Sequence, residues 1–168
     1  MRKRIDRFVE DALVEFGEWY VRSDWNGKER DCVNLFANRF LGRRVQKGAA
    51  IQDPAEMRVE GPVPQPTGYR KPTAAKDLVV WSDALATTWD TEWQAVDWPR
   101  LVMEWKFRRR GRPSKDFDTH DLEWLCAYTD EYDKTFGYLV RVYHGEESRS
   151  VDWAKVVRGE LNDTNRRS

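Results

Sequence analysis

Cysteine and histidine are both scarce in this chain, two of each in 168 residues. That scarcity narrows the chemistry open to it. Cys32 and Cys126 fall in segments with helical apolar spacing, so they read as small core residues of a reducing compartment rather than as a disulfide. Neither His120 nor His144 has a second histidine or cysteine at metal-ligand spacing, which argues against zinc. His120, at the head of a helix, reads as a capping-turn residue before it reads as a phosphate contact. Net charge is missing too: 29 basic and 29 acidic side chains cancel. Attraction to nucleic acid or to a membrane must therefore come from local clusters. No apolar stretch approaches the roughly 20 residues of a membrane span, and the opening MRKRIDRF has no apolar region of the kind a signal peptide carries. With no Gly-rich phosphate loop and no nucleophile elbow, NTPase and serine-hydrolase chemistry lack support. These absences lead us to expect a soluble, cytoplasmic protein.

What is abundant argues for folding. Charged residues make up 35% of the chain, a level compatible with disorder, but 13% aromatic content with nine tryptophans supplies a core. The length suits a single domain. Ile5, Phe8, Val9, Ala12, Leu13, Phe16, Trp19 and Tyr20 recur at three- and four-residue steps and predict an amphipathic helix ending near Arg22. A second helix is predicted over 28–41, with Gly42 as its stop. One irregular strand is expected within 43–76, where proline and glycine accumulate. DLVVW (77–81) and RLVMEWKF (100–107) predict buried strands, and a helix follows from Asp118 to about Lys134. YLVRVY (138–143) predicts another strand, and Ser150 reads as the cap of a final helix over 150–162.

The expected fold is therefore mixed α/β in the order α-α-β-β-β-α-β-α: a core over 28–143, an N-terminal helical extension over 1–27 and a C-terminal helix. The strands at 100–107 and 138–143, joined through a helix, should be parallel with a right-handed crossover. Those at 77–81 and 100–107 should be antiparallel neighbours, which makes the sheet mixed.

Chemistry concentrates where those neighbours meet. Asp77 opens one strand, and Glu104 and Lys106 close the other. Alternation puts Glu104 and Lys106 on one face and Trp105 on the opposite one. Two carboxylates and an ammonium at one sheet edge suit a hard divalent cation, which takes one or two carboxylates, keeps waters and completes its shell with phosphate oxygens. The bland reading of Glu104-Trp105-Lys106 is an ion pair on a solvated edge strand. Against it, residues 101–105 are apolar on both faces apart from Glu104, and a buried carboxylate needs a cation or hydrogen bonds. Asp83 is the fallback ligand if the register is shifted.

Asp77, followed by Glu104-Trp105-Lys106 at the end of an apolar strand, resembles the motif of the PD-(D/E)xK nuclease superfamily, with its restriction-endonuclease-like fold. The α-β-β-β-α-β order over 28–143 is similar to that core. The resemblance implies a Mg²⁺- or Mn²⁺-dependent phosphodiesterase acting on nucleic acid, DNA more than RNA. It makes Asp77 and Glu104 metal ligands, the Trp105 backbone carbonyl a further one, and Lys106 the residue that positions water. Glu29, in the first turn of KERDCVNLFANRFL, matches a glutamate that many members carry, although a first-turn acid also suits the helix dipole. Lys76 departs from the family's proline before the aspartate.

Arg108, Arg109, Arg110, Arg112 and Lys115 follow the candidate metal strand directly and read as phosphate contacts, against a solvated loop as the plain alternative. Trp89, Trp93 and Trp98 lie among acids in the 82–99 connection, so that segment suits a protein partner or the sheet edge better than a nucleic acid backbone. A nuclease this small can also gain DNA contacts as a homodimer. The rival expectation is a catalytically inactive nucleic-acid- or protein-binding module on the same fold.

Overall fold

The computed structural model describes residues 5–109, 116–145 and 148–167, apart from a few side chains near the C-terminus. Six strands form one mixed sheet in the order β1-β2-β3-β4-β5-β6. They are Met57–Pro64, Thr73–Val80, Leu101–Arg108, Phe136–His144, Arg149–Val157 and Glu160–Arg167, and the helices are α1 (Ile5–Arg22), α2 (Glu29–Leu35) and α3 (Thr119–Glu131). A π-helical turn, Phe36–Leu41, continues α2. No described helix is long and apolar enough to cross a membrane.

Strand β3 pairs in parallel with β4 along its whole length, Leu101 beside Phe136 and Arg108 beside Tyr143. The connection runs through α3, as the βαβ pattern predicts. Strand β2 pairs antiparallel with β3, but only over Leu78–Val80 against Leu101–Met103.

Two cores cover the two sheet faces. On one, α1 and α2 with its π-turn pack Val9, Phe16, Phe36 and Phe40 onto Met103, Trp105, Val140 and Trp153. Phe16 and Phe36 lie with ring centroids 5.5 and 5.2 Å from Trp105. On the other, α3 packs Trp124, Leu125 and Tyr128 onto Val79, Val102, Leu139 and Val156. Alternation along β3 therefore sends Trp105 to the α1 side and Glu104 and Lys106 to the α3 side. Sequence spacing puts Leu122, Leu125, Cys126, Thr129 and Tyr132 on one face of α3; Leu125 and Thr129 are buried, together with Trp124 and Tyr128, while Leu122, Cys126 and Tyr132 are half-buried beside them. Cys32 and Cys126 are free thiols that pack into opposite cores.

The C-terminal segment corrects the sequence reading. VDWAKVVRGEL is not a helix: it belongs to β5 and β6, a hairpin added antiparallel to β4. Its run of apolar residues is buried on both faces, Val151 and Trp153 against the α1 side and Val156 against the α3 side. A strand buried on both faces loses the alternation that distinguishes it from a helix. The decisive signal is the turn. Arg158 and Gly159 both have positive φ, 51° and 76°, the conformation of a two-residue hairpin turn of type I′. The observed order is thus α-α-β-β-β-α-β-β-β.

Candidate functional site

Strand β2 stops pairing with β3 one residue before the site. The ladder between β1 and β2 skips Glu60 and Asp77, although pairs continue on either side. Glu60 there takes a φ of 53°. Side chains change face across this irregularity: Leu78 and Val80 belong to the α1-side core, whereas the Lys76 ammonium reaches Trp124 on the α3 side. The register is the same on either side, Val59 opposite Leu78 and Gly61 opposite Lys76, so no residue is inserted and the change of face is a local kink of the ladder at Glu60 and Asp77.

Because β2 departs, the edge of β3 beyond Met103 is left without a strand partner on that side. Its main-chain donors are met by carboxylates. Asp77 Oδ2 accepts from the Trp105 N–H at 2.6 Å, and Glu29 Oε2 accepts from the Phe107 N–H at 2.8 Å. In a strand, a residue's N–H and C=O point to the same edge, so the Trp105 carbonyl lies on this edge too, between the two acids. An unmade main-chain hydrogen bond is costly, which is why a divergent strand end selects side chains that can accept.

Glu29 is brought here by the 23–28 loop. Arg109 donates to the Gly27 carbonyl at 2.8 Å, and Arg149 Nη1, from β5, donates to the carbonyls of Ser23 and of Trp25, the latter at 3.0 Å. Gly27 permits the tight packing, since a Cβ there would lie 2.1 Å from the Trp25 ring. Behind the loop, Tyr20 Oη lies 3.0 Å from His144 Nδ1. Burial, then the charges of Arg149 and Arg109, hold the His144 imidazole below its ordinary pKa.

On the α3 face Glu104 is 8% exposed. Its Oε1 is bound closely by the Lys76 ammonium, itself 7% exposed. Burial pushes the Glu104 carboxyl up to about 7; Lys76 opposes the shift, and the charges of Asp77 and Asp121 add to it. Lys106 does not turn to Glu104. Its Nζ pairs with Asp121 Oδ2 at 3.0 Å. Burial works against the Lys106 charge, but Asp121, Glu29 and Asp118 outweigh it and raise its pKa. Glu104, Lys106, Arg108, Asp118 and Asp121 line a cavity of about 10 Å³, room for a single water.

The sequence-derived site residues thus meet at one place with divided partners. Asp77, Glu29 and the Trp105 main chain share the open edge, and Glu104 and Lys106 sit side by side on the α3 face. Among the described residues, no three carboxylate, imidazole or thiol groups stand close enough together to be a metal cluster. The hard-oxygen donors Asp77, Glu104 and the Trp105 carbonyl nonetheless suit Mg²⁺, which needs only one or two carboxylates beside waters. Asp83 is not part of the site. It follows the opposite end of β2, where its Oδ1 accepts from Leu85 and Ala86 N–H as a turn residue. Arg108 is exposed beside Lys106, while Arg110, Arg112 and Lys115 lie outside the described residues. His120 is exposed, its N–H bonded to the helix cap Asp118.

Lys76 and Asp121 were not among the sequence candidates. Lys76 stands next to Asp77 in the chain, but strand alternation groups it with Leu78 and Val80 on the α1 side, and only the kink at Glu60 and Asp77 brings it to Glu104. Asp121 reads as an ordinary first-turn acid of α3 until β3 is laid beneath it. The remote 82–99 segment forms a small hairpin-like loop, with Trp89 bridged to Ala95. Trp93, 77% exposed with a φ of 60°, stands at its tip. No family model, curated protein or solved structure matches this chain.

Proposed function

We propose that this chain is a metal-dependent phosphodiesterase of the PD-(D/E)xK kind, hydrolysing nucleic acid and preferring DNA to RNA. The observation that carries the reading is the open edge of β3. There β2 stops pairing at Leu78 and leaves a stretch of β3 main chain without a strand partner, flanked by Asp77 and Glu29, with Glu104 and Lys106 on the adjoining face.

In this reading Asp77, Glu104 and the Trp105 carbonyl hold Mg²⁺ or Mn²⁺, and Glu29 supports the edge from α2. The bound ion would acidify a water and neutralise charge on the phosphorane. Lys106, kept charged by Asp121, orients the attacking water. Arg108 meets the backbone phosphates from the same face.

The test is nicking of supercoiled plasmid with Mg²⁺ or Mn²⁺ by wild type, Glu104→Ala and Lys106→Ala. Cleavage by wild type that both variants lose supports the proposal; equal cleavage by all three refutes it. The engaged state of the side chains favours a second reading. Glu104 already has Lys76, and Lys106 already has Asp121, as expected of a binding module that keeps the acids for structure. That reading predicts DNA or protein binding without cleavage under any divalent cation.

A further inference from the structure

Lys76 is a buried cation that the proposed reaction does not use. Its ammonium is bound to Glu104 Oε1 and lies 3.4 Å from the centroid of the Trp124 ring. That ring is fixed in turn: Trp124 Nε1 donates to Gln65 Oε1, and the indole stacks on Tyr128 with centroids 4.6 Å apart. The seat is therefore built from three segments, the β1–β2 connection, β2 and α3, and it is specific for a cation over an aromatic face.

These contacts separate two roles. An ammonium that merely stood in for a divalent ion would be held by carboxylates and would leave when the ion arrived. One seated on an indole keeps a binding partner whether or not the ion is present. Its bond to a single oxygen of Glu104 fixes the carboxylate and leaves the second oxygen to act as a ligand. Partners of this kind, which orient a ligand from behind, typically set metal affinity by 10–100-fold.

We infer that Lys76 is a positioning residue that holds Glu104 from the Trp124 side and presents its carboxylate to a divalent cation. The inference rests on the phosphodiesterase reading but concerns only how the ligand is held.

Mn²⁺ binding by titration calorimetry on the full chain tests it, with thermal melts as the control for folding. Lys76→Met is expected to weaken Mn²⁺ about tenfold or more, and Lys76→Arg to restore most of the loss. Trp124→Leu, which removes the seat and keeps the charge, should fall between them. It also serves as the test if Lys76→Met does not fold. Wild-type affinity in Lys76→Met or in Trp124→Leu overturns the inference, and so does tighter binding, which would mark Lys76 as a competitor. A wild type that binds Mn²⁺ but does not cleave DNA overturns the enzyme reading and leaves the positioning role standing; a wild type that binds no Mn²⁺ overturns both.

Discussion

At the scale of single residues, Asp77 and Glu104 differ in what they do for the fold. Asp77 accepts a main-chain hydrogen bond that the departing strand cannot supply. Asp77→Ala should cost roughly 1–3 kcal/mol by leaving the Trp105 N–H unmet. Asp77→Asn keeps an acceptor and should recover most of that in chemical denaturation, while still losing metal-dependent activity. Glu104 is instead an electrostatic liability. Its folded carboxyl titrates near 7 against an ordinary 4.5, so between those values the folded state binds more protons than the unfolded one. Stability from this group is fully present below about 4.5 and is lost as pH rises through 7. Melting temperatures of the metal-free protein should carry a downward slope between pH 5 and 7.5, and Glu104→Gln should flatten it. An unchanged slope in that variant would place the titration elsewhere.

At the scale of elements, the C-terminal hairpin gives a prediction that the helical reading would reverse. Arg158 holds a left-handed backbone at the first central position of the turn. Arg158→Asn should therefore stabilise the protein by about 0.5–1 kcal/mol, because asparagine tolerates that region. In a helix the same change would be neutral or unfavourable. The elements that sequence predicts well are those with one clean period or a crossover constraint: α1 ends at Arg22, and β3 and β4 are parallel through α3. β5 was illegible by period because both its faces are buried. The site shows the same division. Asp77, Glu104 and Lys106 stand out because each opens, interrupts or closes an apolar run. The ion pairs Lys76–Glu104 and Lys106–Asp121 depend on a kink in the β1–β2 ladder and on the seating of α3, which no local pattern encodes.

At the scale of the whole molecule, charge is segregated although it sums to zero. The 82–99 segment carries Asp83, Asp90, Glu92 and Asp97 with no lysine or arginine, and it joins β2 to β3 at the sheet end opposite the candidate site. If the site takes nucleic acid as proposed, that placement keeps negative charge away from its phosphate backbone. Trp93→Ala should accordingly leave DNA cleavage within about twofold of wild type; a large loss would bring that loop into substrate binding.

The central claim is that the open edge of β3 and the acids around it form a metal-dependent hydrolytic site. Single-turnover nicking of supercoiled plasmid by wild type and Asp77→Asn, in Mn²⁺ and in EDTA, tests it most directly because that variant keeps an acceptor for the Trp105 N–H. Wild type should cleave in Mn²⁺ alone, and Asp77→Asn, which lacks a ligand carboxylate, should lose about 100-fold or more, at least the upper end of what an outer-shell partner costs. Equal rates for the two proteins, or folded wild type that binds DNA and leaves it intact in every divalent cation, would contradict it.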